Sequence, residues 1–210
     1  MTHVKRILHY SKDCPEIIHL TAVDNKLGFL IDNVGEYTLT LRTDHTAAII
    51  RAIVGQQLSF KAATTIWTRL EILCGDITPK AILSVTDDEL RAVGLSRTKA
   101  SYAKDFSMKV LSEEINFEVL RYQDDETIIN TLTKVKGIGK WTAEMFLIFS
   151  LGRSDIMALD DVGLRRSMKW LYRLSELPDI QTMKNISDKW KPHRTTASLF
   201  LWEAVNKGYC

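Results

Sequence analysis

The sequence predicts an all-α protein with at most one small β-hairpin near its N-terminus. Two observations predict it. From Asp44 onward, apolar residues recur at intervals of three and four between Asp, Ser or Thr starts and Gly or Pro stops. Only Tyr37-Thr38-Leu39-Thr40-Leu41 alternates as a strand does. A chain of 210 residues can build one large domain or two small lobes.

Residues 1–43 are the least regular part, and the turn Asp32-Asn33-Val34-Gly35 before the alternating run suggests the hairpin. Asp44 then caps a helix with Ile49, Ile50, Ile53 and Val54 on one face. Gly55-Gln56-Gln57-Leu58-Ser59 interrupts it, and Ala63, Ile66, Trp67, Leu70 and Leu73 resume the period, so two helices flank a polar junction. Pro79 opens the next helix, and Thr86-Asp87-Asp88-Glu89 has capping-box spacing. Gly94 ends that short helix, and Ser96 caps another through Ala100, Ala103, Phe106 and Val110. Asp125 begins a helix that runs through Ile128, Ile129, Leu132 and Val135 to a glycine turn. Lys140 to Leu151 is apolar nearly all round, as a buried helix is, and Gly152 stops it. Asp160 or Asp161 starts the next, with Asp160 the preferred cap and Leu164, Met168 and Leu171 inward. A short helix around Met183 and Ile186 follows Pro178, and Pro192 begins the last, through Leu199, Trp202 and Val205.

Hydrophobic residues at 45% and charged residues at 26% are ordinary for a globular protein, and a net charge of +2 does not by itself announce a nucleic-acid binder. Its distribution says more: residues 134–210 carry 13 Lys/Arg against 8 Asp/Glu, whereas residues 1–133 carry 15 against 18. Cys14, Cys74 and Cys210 fit neither a disulfide framework nor a clustered metal site, which implies a reducing setting. No apolar run has the length of a membrane span, and the N-terminus, with His3, Lys5, Arg6 and His9, lacks the apolar region of a signal peptide. An intracellular protein without a membrane partner is expected.

The sharpest signal is Val135-Lys136-Gly137-Ile138-Gly139-Lys140 between two helices, a helix–hairpin–helix. Its glycines let backbone N–H groups meet a phosphate, and the N-terminus of the next helix adds positive potential. Gly137, Gly139, Lys136, Lys140 and Thr142 are the candidate contacts, and they read backbone rather than base. A plain connection between core helices would explain the glycines but not Lys134, Lys136 and Lys140.

The run through Trp141-Thr142-Ala143, together with Leu159-Asp160-Asp161-Val162-Gly163-Leu164-Arg165-Arg166 and Ile53-Val54-Gly55-Gln56-Gln57-Leu58-Ser59, resembles the helix–hairpin–helix glycosylase superfamily of base-excision repair. Within it, the chain is most similar to the 3-methyladenine DNA glycosylase II group, from about Asp44 to Trp202. The resemblance implies two helical lobes flanking a cleft that holds the active site. The lobes are a middle one over residues 45–153, with the hairpin at about 126–151, and a second built from 1–44 and 154–210.

It also implies residue roles. Asp161 matches the catalytic carboxylate, which stabilises positive charge on the sugar and orients or deprotonates the attacking water; a helix N-cap is the alternative role of such an Asp. Trp141 stands where bifunctional members carry a Schiff-base lysine, so a monofunctional enzyme without lyase activity is expected. Trp202 matches a pocket tryptophan, Trp141 lies near that pocket, and both faces suit a cationic alkylated base. Met145 replaces a relative's pocket tyrosine, leaving the aromatic box incomplete. Trp67, Trp170 and Trp190 are expected in the core.

Gln57 matches the wedge that fills the hole left by a flipped base, with Leu58 its competitor. Arg97, Lys99, Arg165, Arg166 and Arg194 are lesser phosphate candidates. The family hairpin implies a structural cation on the carbonyls of Thr133, Val135 and Ile138, with no other cofactor. The expected activity is hydrolysis of the N-glycosidic bond of alkylated purines in double-stranded DNA, by a monomer working in the cytoplasm, or in the nucleus if the source is eukaryotic. A glycosylase for deaminated or etheno bases, or a non-catalytic DNA-binding module, remain the alternatives.

Overall fold

The computed structural model describes residues 6–210, Phe60 by its backbone alone; His3 and Lys5 lie outside the described residues. The chain divides into a middle unit, residues 42–146, and a terminal unit that joins residues 6–41 to 147–210.

The terminal unit opens with β1 (Ile7–Tyr10), α1 (Pro15–Val23), α2 (Asn25–Val34) and β2 (Tyr37–Thr40). The two strands pair antiparallel, from Ile7 opposite Thr40 to Tyr10 opposite Tyr37. The expected hairpin is thereby corrected. No turn links the strands, because α1 and α2 lie between them, and Gly35 of the supposed turn is the C-cap of α2. The cause is legible in hindsight: Pro15 opens α1, and Asp24 caps α2 ahead of buried Leu27, Leu30 and Ile31. Asp24 does more than cap. Its Oδ1 accepts from the amides of Lys26 and Leu27 at 3.1 and 3.2 Å, while its Oδ2 accepts from Trp190 Nε1 at 2.9 Å, Lys189 Nζ at 3.0 Å and the Tyr172 hydroxyl.

The middle unit is α3 (His45–Gly55), α4 (Phe60–Cys74), α5 (Pro79–Ser84), α6 (Asp87–Ala92), α7 (Arg97–Leu111), α8 (Phe117–Leu120), α9 (Asp125–Leu132) and α10 (Lys140–Phe146). Asp44 and Ser96 cap helices where expected and Thr86 with Glu89 closes the expected capping box, while Ser59 and Thr78 also accept an amide of the first turn, ahead of α4 and α5. Helices α5 and α6 pack on α7, and α3 packs on α4 and α7. The interior between them holds fully buried Ile49, Ile50, Ile53, Leu70, Ile82, Leu90 and Phe106. Each such side chain contributes roughly 1.5–3 kcal/mol through burial.

At Leu147, α10 widens into a π-helical turn, Leu147–Leu151, and the chain passes there into the terminal unit, ahead of the boundary expected near 153. That unit continues with α11 (Val162–Tyr172), α12 (Ile180–Ser187) and α13 (Arg194–Asn206). Helix α13 packs on α11 and α2 and is buried at every position from Thr195 to Leu201, so its polar groups need partners within the protein. Ser198 donates to the Arg194 carbonyl at 2.8 Å, and Thr195 Oγ1 accepts the Ile156 amide at 2.9 Å. Trp67 and Trp190 are buried as expected, but Trp170 is exposed. It lies off the α11 face formed by Leu164, Ser167, Met168 and Leu171, against Tyr209 at a ring separation of 5.8 Å. Among the described residues, no helix is long and apolar enough to cross a membrane.

Candidate functional site

The candidate residues divide between the two units. In the middle unit, α9 ends at Leu132 and the turn to Lys140 is pinned from below by buried Val135 and Ile138. The Ile138 amide donates to the Val135 carbonyl at 3.1 Å, and the Lys136 amide donates to Asp105 Oδ2 at 3.0 Å. Gly137 has φ +80°, and a Cβ there would sit 2.0 Å from the Tyr102 ring, so the fold itself demands glycine. Gly139 is different. A Cβ built on it meets nothing within 4 Å, and it immediately precedes the first turn of α10. A plain connection between helices accounts for Gly137 and leaves Gly139 unexplained; a ligand backbone approaching the first-turn N–H groups accounts for it.

The side chains of Lys136 and Lys140 are exposed, with Lys140 Nζ 3.7 Å from Glu144 Oε1, a weak i,i+4 pair. Thr142 is buried, which leaves its first-turn N–H rather than its hydroxyl as the group to offer an anion. The carbonyls of Thr133, Val135 and Ile138 belong to the same turn. They are neutral oxygens, and among the described residues no cluster of His, Cys, Asp or Glu could hold a metal. Such a set fits a hard cation completed by other oxygen ligands, not a catalytic metal. On α10, Trp141 is exposed and Met145, one turn on, is half-buried, so the two share a face.

The junction after α3 stands beside this turn. Gln56 Nε2 donates to the Gly137 carbonyl at 2.7 Å. Gln57 is exposed with φ +54°, a left-handed conformation that costs a side-chain-bearing residue roughly 1–2 kcal/mol. Leu58 is exposed too, and Ser59 caps α4. Lys99 is not a phosphate contact: its ammonium donates to the carbonyls of Val54 and Gln56 at 2.9 and 2.7 Å.

In the terminal unit, Asp161 stands at the head of α11, buried. Its Oδ1 accepts the Leu164 amide at 2.8 Å and Trp202 Nε1 at 2.9 Å. The expected cap, Asp160, is therefore replaced by Asp161: the helix starts at Val162, and only the residue directly before it can reach the third amide. Capping and a catalytic role need not exclude each other in one carboxylate, since a cap fixes the group it uses. Trp202 projects from α13, half-buried, its ring tilted against Phe149 at 5.7 Å. Gly163 makes room for the pair: a Cβ there would lie 3.1 Å from Asp161 Oδ1 and 3.4 Å from the indole Cδ1. The sequence carries no local sign of this contact, because 41 residues separate its partners. Three of the arginines expected at phosphate are engaged elsewhere. Arg194 makes a two-pronged pair with Asp155 at 2.7 and 2.9 Å, Arg165 donates to the Pro178 carbonyl at 2.9 Å, and Arg166 donates to the Cys210 carbonyl at 3.2 Å.

Residues 50–192 match the family described as HhH-GPD superfamily base excision DNA repair protein. The alkylbase DNA glycosidase-like protein mag2 of Schizosaccharomyces pombe is 34% identical over 192 residues, 88% of this chain and 90% of mag2. Two solved structures are similar throughout. A DNA-3-methyladenine glycosidase from Bacillus halodurans has a TM-score of 0.87 and 38% identity, with 96% of this chain and 94% of that one covered. The S. pombe 3-methyladenine DNA glycosylase Mag1, in complex with abasic DNA, has a TM-score of 0.83 and 33% identity, with 92% and 97% covered.

Proposed function

This chain belongs to the HhH-GPD superfamily of base excision DNA repair proteins, and on that premise we propose that it is a DNA glycosylase that hydrolyses the N-glycosidic bond of alkylated purines and leaves an abasic site. The relatives named for alkylbase and 3-methyladenine DNA support the substrate class. The observation that carries the mechanism is Asp161, whose Oδ1 is held at the head of α11 by an amide and an indole N–H.

Base loss builds positive charge on the deoxyribose. A carboxylate already oriented by fixed donors stabilises that charge without reorganising, and it accepts a proton from the attacking water. Trp202 is thus a positioning residue as well as a wall for the base. An N3- or N7-alkylated purine is a cation and a good leaving group, and the exposed indole of Trp141 and the thioether of Met145 suit it once flipped. Gln57, displayed by its left-handed backbone, fills the gap in the stack, with Leu58 beside it. Gly139 admits a phosphate to the first turn of α10, next to Lys136 and Lys140. A cation on the carbonyls of Thr133, Val135 and Ile138 would add positive potential there.

The enzyme is monofunctional, because Trp141 has no amine to form a Schiff base. It acts as a monomer on double-stranded DNA. Incubation with a methylated duplex tests this reading. Release of 3-methyladenine and 7-methylguanine is expected, with alkali-labile sites, no strand cleavage and no borohydride-trapped adduct. Release of only deaminated or etheno bases would move the substrate class, an adduct would refute monofunctionality, and DNA binding without release of any base would leave a non-catalytic module.

A further inference from the structure

Helix α7 touches both loops assigned to DNA, at three positions in one stripe. Lys99, in its first turn, holds the carbonyls of Val54 and Gln56 at the end of α3. Tyr102, three residues on, packs where Gly137 would carry a Cβ. Asp105, three further, accepts the Lys136 amide at 3.0 Å. The stripe covers about 9 Å of helix axis. Gln56 then staples the loops directly, through its side chain to the Gly137 carbonyl. We propose that Lys99, Tyr102 and Asp105, with Gln56, are positioning residues that set the wedge and the phosphate grip at one fixed spacing, so that strand binding delivers Gln57 to the stack. The proposal rests on the glycosylase reading above.

Two features need this explanation. A lysine in the first turn of a helix faces the positive end of that helix's own dipole, an unfavourable place. Lys99 is half-buried there and is stabilised by carbonyls at the opposite, negative end of α3, so it joins the end of α3 to the start of α7. Gln57, in turn, keeps a costly conformation directly after a residue held at both its carbonyl and its side chain. The strain is maintained by the clamp on Gln56, and it displays the next side chain outward.

The test is single-turnover base release by Gln56→Ala and Lys99→Met, from a lesion in a stable pair and from the same lesion in a single strand. Loss of about tenfold on the duplex and at most about threefold on the single strand is expected, because only the duplex needs a wedge. In a Gln57→Ala background, that extra duplex loss should vanish, since the clamp acts through Gln57. Equal losses on both substrates, no loss, or a duplex loss that persists without Gln57 would overturn the proposal. Gln56→Ala removes one surface hydrogen bond and keeps the test valid should Lys99→Met fold poorly. Wild-type release separates the two claims: without it the glycosylase reading fails and the clamp with it, whereas active wild type with equal variant losses removes the clamp alone.

Discussion

Asp24 and Asp161 are both buried carboxylates of the terminal unit. Each accepts the amide of a leucine three residues on, Leu27 or Leu164, and each accepts an indole N–H at 2.9 Å, from Trp190 or Trp202. They differ in their surroundings. The donors of Asp24 cover both oxygens and include Lys189 and the Tyr172 hydroxyl, so its charge is matched by a cation and its partners come from three separate elements. Burial alone would raise its pKa, but the donors from Tyr172, Trp190, Lys189 and Leu27 outweigh that and hold the carboxyl below its ordinary range. The amide and indole that hold Asp161 meet at Oδ1, beside Gly163, whose missing Cβ makes room for the pair. A cap plus an indole is therefore a general holder for a carboxylate. At Asp24 the holder joins elements, and at Asp161 it serves the role in base release proposed above.

The largest effect expected from this comparison is in Asp161→Asn, which should lower base release by at least about a hundredfold. Asn caps nearly as well, so the unfolding free energy should move by no more than about 0.5 kcal/mol. Single-turnover kinetics beside urea denaturation measures both; a large stability loss would make Asp161 a second Asp24. Asp24→Asn should do the reverse, losing about 1–3 kcal/mol because the Tyr172 hydroxyl and the Trp190 indole lose their charged acceptor, with the rate of the folded fraction kept. The pH dependence has a definite sign. The folded carboxyl titrates below the unfolded one, so its contribution is full above about pH 4 and lost as pH falls through the folded value. The stability gap between wild type and variant should therefore shrink from pH 7 to pH 3. The indoles give the smallest and finest contrast. Trp202→Phe should slow release about tenfold with little change in denaturation midpoint, while Trp190→Phe should cost about 1–2 kcal/mol of stability and leave the rate alone. The same outcome for both would erase the distinction.

Much of the middle unit was legible in the sequence because a cap acts within four residues: Asp44, Thr86 and Ser96 begin helices where their side chains reach the first turn. Helices α1 and α2 were hidden by the short alternating run beside them, although Pro15 and Asp24 carry ordinary start signals. Lys99 and Arg194 looked like phosphate contacts because a cation's partner is invisible until the chain folds. One proved to hold carbonyls and the other a carboxylate.

By itself, then, the sequence determined the helical class, the helix–hairpin–helix and the family blocks around Gln57, Gly139 and Asp161, since each depends on spacing along a few turns of chain. Only the tertiary structure decided which glycine the fold requires and which it leaves open, that Asp161 caps α11 while held by Trp202, and that α7 braces both loops. Those contacts join residues tens of positions apart. They exist because packed helices such as α7 and α13 meet their neighbours at fixed depth, which local propensity cannot specify.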